Sequence, residues 1–178
     1  ANRFVLRLCR HITKRPYVLV FDYCYHGSVD ETFITINDGI PGPRRGAIVP
    51  QVNPGLTTQV IAWNNIPALE QALAPGDIAC VLAEPVMTNI GIIHPDPGYH
   101  KALRELTRKF GTLLVIDETH TMCSGPGGYT GEAGLEPDIL TVGKTIGSGV
   151  PAAVYGLSEE VGEKVSKSIK VDESDVGG

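Results

Sequence analysis

Apolar residues recur along the chain at two different spacings. In ANRFVLRLCRHITKR, Phe4, Val5, Leu8, Cys9 and Ile12 fall at the three-to-four interval of a helix with one buried face, and Lys14 and Arg15 suit its carboxyl end. YVLVF follows without polar alternation, the mark of a strand covered on both faces. From residue 65 the succession repeats. Asn65 is a predicted N-cap with Pro67 in the first turn, Ile66, Leu69 and Leu73 share a face, and Pro75-Gly76 ends a short helix. DIACVLAEPV reads as a buried strand. Asp96 and Pro97 are expected to open a helix in which Tyr99, Leu103, Leu106 and Phe110 recur at i, i+4, i+7 and i+11 before Gly111 closes it. TLLVID and DILTVG are two further buried strands, and AAVYG is strand-like. Residues 39 to 58, rich in Gly, Pro, Asn and Thr, predict a long surface excursion without regular structure.

Strands alternating with helices predict an α/β fold, a mostly parallel sheet with helices on both faces, joined by right-handed crossovers. Such sheets bind ligands at the carboxyl ends of their strands. Four predicted strand ends carry YHG, EP, DETH and GK, so the chemistry-bearing residues fall where a ligand is expected.

Composition narrows the partners. A chain of 178 residues with 42% hydrophobic content can bury a substantial core, and a net charge of −5 without any basic run argues against a nucleic-acid surface. Cys9, Cys24, Cys80 and Cys123 are scattered with no CxxC pair, which argues against a zinc knuckle and a disulfide framework and for a reducing compartment. No apolar run has the length of a membrane span, and the first residues lack the order of a signal peptide. The expectation is a soluble, cytoplasmic protein that acts on small molecules. Residue 1 is not Met and lies inside a predicted helix, which implies that the natural N-terminus lies elsewhere.

Lys144 is the residue that most needs an explanation, since an ammonium at the end of a buried strand requires a partner, a phosphate or a covalent bond. GKT at 143 to 145 has the ending of a P-loop, but Asp138 stands where the motif needs its first glycine and would repel phosphate. Gly147, Gly149 and Ala152 give a loose dinucleotide turn, yet Pro151 and the strand-like run after it leave no place for its helix. The remaining chemistry is a Schiff base with an aldehyde cofactor, for which the amine should sit in a partly dry pocket. Pyridoxal phosphate is such a cofactor, and it needs a buried carboxylate to keep its pyridine nitrogen protonated. Asp117, at a neighbouring strand end, has that position. Spacing permits the pairing without establishing it.

The runs EPVMTNIGIIHPDPGYHKALRELTRKFGTLLVIDETHTM and GLEPDILTVGKTIGSGVPAAVYG, with VFDYCYHG before them, resemble the core of the class III, fold type I pyridoxal-phosphate-dependent aminotransferases, closest to the glutamate-1-semialdehyde aminomutase branch. The resemblance implies that Lys144 is the Schiff-base lysine and proton shuttle, and that Asp117 pairs with the pyridinium. It implies that Tyr25 of YHG, with His26 and Gly27, lies on one ring face and Thr119 on the other, where the family commonly has valine. Asn89 matches an asparagine near the phenolic oxygen. It further implies a cofactor, pyridoxal 5'-phosphate, and a homodimer with the active site at the interface, to which residues 39 to 58 are expected to contribute. Residues 1–178 would be the central part of the large cofactor-binding domain, with the phosphate-binding turn before Ala1 and the small C-terminal domain lying outside this chain.

Each residue also has a plainer reading. Tyr25 alone reads better as a core aromatic, Glu84 before Pro85 divides evenly between a structural pair and a site role, and Cys24 and Cys123 read as small buried residues. His120 with Asp117 invites a metal, but no third ligand has usable spacing, and no metal is expected. CSGPGGYTGEAG is a candidate lid or interface loop. The sequence therefore predicts an enzyme that moves an amino group between an amino donor and an oxo-acid acceptor. The alternatives are a 2,1-aminomutase acting within one substrate, and a catalytically incomplete chain that keeps only the fold.

Overall fold

The computed structural model describes residues 1–48 and 54–170. Helix α1 (Asn2–Thr13) leads into β1 (Tyr17–Phe21), and a small ribbon of β2 (Ile34–Asn37) and β3 (Ile40–Pro43) precedes β4 (Thr58–Ile61). Then come α2 (Ile66–Leu73), β5 (Ile78–Ala83), α3 (Tyr99–Lys109), β6 (Leu113–Asp117), α4 (Gly128–Glu132), β7 (Ile139–Val142), β8 (Val154–Leu157) and α5 (Glu159–Ser168). Six strands form one sheet in the order β4-β1-β5-β6-β7-β8, parallel except for β8, which runs antiparallel to β7 at the edge. This is the expected mostly parallel α/β architecture.

The unbroken apolar runs explain why the central strands are central. All six residues of β5 and all five of β6 are buried, as strands with a helix layer on each side must be. On one side α1 touches β5 and α5; α2 and α3 pack on each other, against β4 and β6 respectively. The face of α1 is buried through Val5, Leu6 and Cys9, while Phe4, expected on that face, is exposed. Asn65 caps α2 as expected, its Oδ1 accepting the Ala68 N–H at 3.0 Å. Helix α3 starts later than expected. Gly98 in left-handed geometry is its N-cap, and Asp96 contributes its carbonyl, which accepts from Tyr99 N–H, because a residue ahead of a proline is driven away from helical geometry.

The expectation of an irregular stretch over 39 to 58 is corrected on both sides of residues 49–53, which lie outside the described residues. Asp38 and Gly39, both at positive φ, form the two-residue turn of the β2–β3 ribbon, and β4 begins at Thr58. Pro41 and Pro43 hid the ribbon, since proline is rare in strands, but both lie in the outer strand of a two-stranded pair. Asp22 at the end of β1 holds the ribbon, its Oδ1 accepting the Thr35 hydroxyl and the Ile36 N–H.

Asp138, which spoils the P-loop pattern, has a structural task. Both of its carboxylate oxygens take Arg104 of α3, at 2.7 and 2.8 Å, and Oδ2 also accepts the Leu114 N–H of β6 at 2.7 Å. Helix, central strand and the start of β7 are locked at one carboxylate with both partners mostly buried. Arg104→Ala leaves that carboxylate unpaired and is expected to destabilise the protein by about 3 kcal/mol in urea unfolding, with Arg104→Lys recovering only part because it cannot reproduce the two-pronged contact.

Candidate active site

Parallel pairing delivers the ends of β1, β5, β6 and β7 to one edge, and a cavity of about 410 Å3 opens there, within the range of small-molecule sites. Its wall includes Asn2, Tyr25, His26, Gly27, Glu84, Asp117, Thr119, His120 and Lys144. Six of the seven residues singled out from the sequence thus meet. The seventh, Asn89, is exposed, donates to the Tyr23 carbonyl at 3.1 Å and is not among the lining residues.

Asp117 is the last residue of β6 and is 4% exposed. Its Oδ2 receives His26 Nδ1 at 2.9 Å and Asn2 Nδ2 at 2.8 Å, and its Oδ1 receives the Thr119 N–H at 3.1 Å. Burial alone would raise this carboxyl, but the His26 contact, with Thr119 and Asn2 behind it, outweighs burial and holds it well below the usual carboxylate range. For His26 burial again opposes the charged form, and the contacts with Cys24 and Asp117 win, so its pKa is pushed up to about 10. The wall therefore contains a buried ion pair. His26 Nε2 and Asn2 Oδ1 are buried without a hydrogen-bond partner, so the wall retains polar capacity for a ligand.

Glu118, next in sequence, serves the fold. It is 1% exposed, and its carboxylate accepts from the Thr121 hydroxyl and from the N–H groups of Tyr129 and Thr130, which ties the glycine-rich segment to the end of β6. Gly128 is required there, since a Cβ at its φ of +67° would lie 2.9 Å from Glu118 Oε1. The expected lid segment is thus anchored at this point, with a short helix inside it.

Lys144 follows β7 in left-handed backbone geometry, φ +50°, a conformation that costs a non-glycine residue about 1–3 kcal/mol. Its side chain is exposed, so the partly dry setting expected from the sequence is not present in this chain. The amine lies 2.7 Å from His120 Nε2, His120 Nδ1 meets the Thr88 hydroxyl, and that hydroxyl donates to Glu84 Oε2 at 2.6 Å. Glu84 Oε1 accepts the Tyr25 N–H at 3.3 Å, and Thr119 stands beside Gly143. Asn2, Thr88 and His120 carry no site signal in the sequence beyond adjacency to a strand end or helix start, and Glu84 divides evenly between a structural and a site role there. Among the described residues no cluster of three or more His, Cys, Asp or Glu is arranged to hold a metal ion.

The His26–Asp117 pair sets a pH window. A raised His contributes fully below its unfolded value of 6.5 and loses that contribution as pH rises toward about 10; a depressed Asp contributes fully above 3.8 and loses it on acidification. The stability difference between wild type and His26→Asn is expected to be greatest between those two unfolded values and to shrink on either side, measured by urea unfolding across pH. A difference independent of pH would contradict the ion pair.

The comparisons with known proteins agree with this geometry. The family model Aminotransferase class-III matches residues 1–170. A glutamate-1-semialdehyde 2,1-aminomutase of Sulfurihydrogenibium sp. is 40% identical over 174 residues, covering 93% of this chain and 40% of that protein. A crystal structure of a glutamate-1-semialdehyde-aminomutase from Pseudomonas aeruginosa PAO1 superposes with a TM-score of 0.94 at 45% identity over 99% of this chain and 40% of its own. A variant of that name from the same organism, in complex with PMP, gives a TM-score of 0.92 at 46% identity, covering 99% and 39%. The chain thus spans about 40% of the length of the curated relatives it matches. With the strand order, the Asp117 carboxylate and the Lys144 amine at one cavity, the chain belongs to the class-III aminotransferases.

Proposed function

We propose that this chain supplies the cofactor-binding core of a pyridoxal 5'-phosphate enzyme that moves an amino group on a small amino compound. The observation that carries the reading is the convergence of one buried anionic carboxylate, Asp117, and one amine, Lys144, on a single cavity from adjacent strands. The residues fit the cofactor. The carboxylate is held ionised, two buried polar atoms of the wall lack partners, and the start of α1, through Ala1, Asn2 and Arg3, opens on the cavity with the positive end of its dipole. The PMP complex of the Pseudomonas relative supports the same assignment.

When bound, pyridoxal phosphate supplies an electron sink that acidifies the hydrogen on the substrate carbon bearing nitrogen. The chain's residues do the rest. Asp117 would hold a proton on the pyridine nitrogen by remaining anionic, and His26, Asn2 and the Thr119 N–H keep it so. Tyr25 would cover one ring face and Thr119 the other, with Gly27 at positive φ turning the chain past the ring. Lys144 would hold the cofactor aldehyde and then take and return the proton at the substrate carbon. Asn89, which donates to the Tyr23 carbonyl, would lie by the phenolic oxygen.

Family membership supports amino-group transfer in general, and the aminomutase names of the relatives favour transfer from C2 to C1 within one molecule over transfer between donor and oxo acid. The reading includes a homodimer, to which the exposed Ile40, Ile48 and Leu56 of the 39 to 58 stretch would contribute apolar surface. No helix among the described residues is long and apolar enough to cross a membrane.

Two experiments test this. Full-length protein with pyridoxal phosphate should show a visible absorption band that borohydride fixes onto Lys144; Lys144→Ala should lose the band and about a thousandfold or more of the amino-transfer rate. A wild-type protein without the band would leave only the fold-keeping alternative. Given glutamate-1-semialdehyde alone, the enzyme should convert it with no added oxo acid; an absolute requirement for an oxo acid would favour transfer between two substrates.

A further inference from the structure

Lys144 stands at one end of an unbroken hydrogen-bonded chain drawn from three strand ends: Lys144 after β7, His120 after β6, and Thr88 and Glu84 after β5. Counting hydrogens fixes the direction of every link. The Thr88 hydroxyl has one proton and gives it to Glu84 Oε2, so toward His120 it can only accept, and His120 Nδ1 must be the donor. A neutral ring with its proton on Nδ1 presents a lone pair at Nε2, 2.7 Å from the Lys144 amine. Glu84 is 4% exposed and its other oxygen is occupied by the Tyr25 N–H, so the chain terminates on a buried carboxylate acting only as acceptor. His120 Nδ1 is 3.8 Å from Glu84, beyond hydrogen-bond reach, which makes Thr88 the required link. Asp117 makes no ion pair with Lys144; its contacts are to His26, Asn2 and the Thr119 N–H.

We propose that His120 and Thr88 are positioning residues that carry a proton from the Lys144 ammonium to Glu84, presenting the lysine to the cavity as a neutral amine while its proton stays inside the protein. The proposal rests on the reading of Lys144 as the cofactor-bonding amine. The step balances without any outside reagent. An N–H bond of Lys144 breaks as Nε2–H forms on His120, Nδ1–H breaks as its proton passes to the Thr88 oxygen, and the original hydroxyl proton moves to Glu84 Oε2. Lys144 loses its positive charge, Glu84 loses its negative charge, and His120 ends as the other neutral tautomer. The reverse sequence returns the proton to the amine.

The test uses cofactor-free full-length protein and needs no turnover. Acylation of Lys144 by a neutral anhydride near neutral pH is followed by peptide mass spectrometry, with exposed Lys101 as internal standard, in wild type, Thr88→Ser, Thr88→Val and His120→Gln. Serine keeps the hydroxyl, valine removes it, and glutamine keeps both hydrogen bonds but cannot pass a proton between its two polar atoms. Wild type and Thr88→Ser are expected to react alike, and Thr88→Val and His120→Gln about tenfold or more slower. Nitrogen-15 NMR of wild type should show His120 as a neutral ring, with its proton on Nδ1 before the transfer and on Nε2 after it, a readout that depends on no variant folding. Rates for both blocked variants within about twofold of wild type, or a His120 ring protonated on both nitrogens, would overturn the relay. The borohydride experiment is independent: a cofactor band fixed onto Lys144 with no effect of Thr88→Val sinks the relay and leaves the functional reading standing, whereas slow acylation without any band does the reverse.

Discussion

Parallel pairing imposes a direction: every strand that joins the ladder must discharge its chain at the same edge as its neighbours. In this protein the ladder runs through Cys80↔Leu113, Ile116↔Leu140 and Asp117↔Thr141, and it brings residues far apart in sequence within reach of one cavity. The antiparallel β8 is added outside this set and leaves the edge intact. The requirement that both faces of the central strands be covered is what makes the sheet core apolar, and it confines ionisable groups to the strand ends. The charge chemistry of the protein is therefore a product of its topology before it is a product of any single residue.

At that edge the balance between burial and pairing is decided locally. Burial works against the charged form of both His26 and Asp117, and in each case the contacts prevail. Immediately beyond, Asp117, the last residue of its strand, and Glu118, the first residue after it, enter different surroundings. One carboxylate faces the cavity and the other fastens the glycine-rich segment, so two acidic groups adjacent in sequence never share an environment. Lys144 departs from the regular ladder in a strained backbone conformation, of the kind that persists at functional sites because its surroundings over-determine it.

The sequence was most legible where one element explains one pattern. YVLVF, DIACVLA and TLLVID announce themselves as covered strands, and Asn65 and Lys144 stand out by position alone. The ribbon of β2 and β3 was hidden because its two prolines argue against a strand unless its place outside the main sheet is known. Asn2, Thr88 and His120 were hidden for a different reason. Their roles arise only when the ends of separate elements meet, and no local spacing encodes that meeting. By sequence His120 invites a metal beside Asp117, whereas its ring faces Lys144 and Thr88.

The same prolines have an effect at the far side of the ribbon. In an antiparallel pair closed by a two-residue turn, the pairs Ile36↔Pro41 and Ile34↔Pro43 fall at the positions whose N–H groups point away from the partner strand. Pro41 and Pro43 have no N–H to offer. The outer margin of β3 therefore presents carbonyls without the matching donors, and an extended segment of another molecule cannot complete a ladder along it. A short strand that exposes Ile40 to solvent would otherwise be a template for aggregation, and its own backbone chemistry renders it sterile.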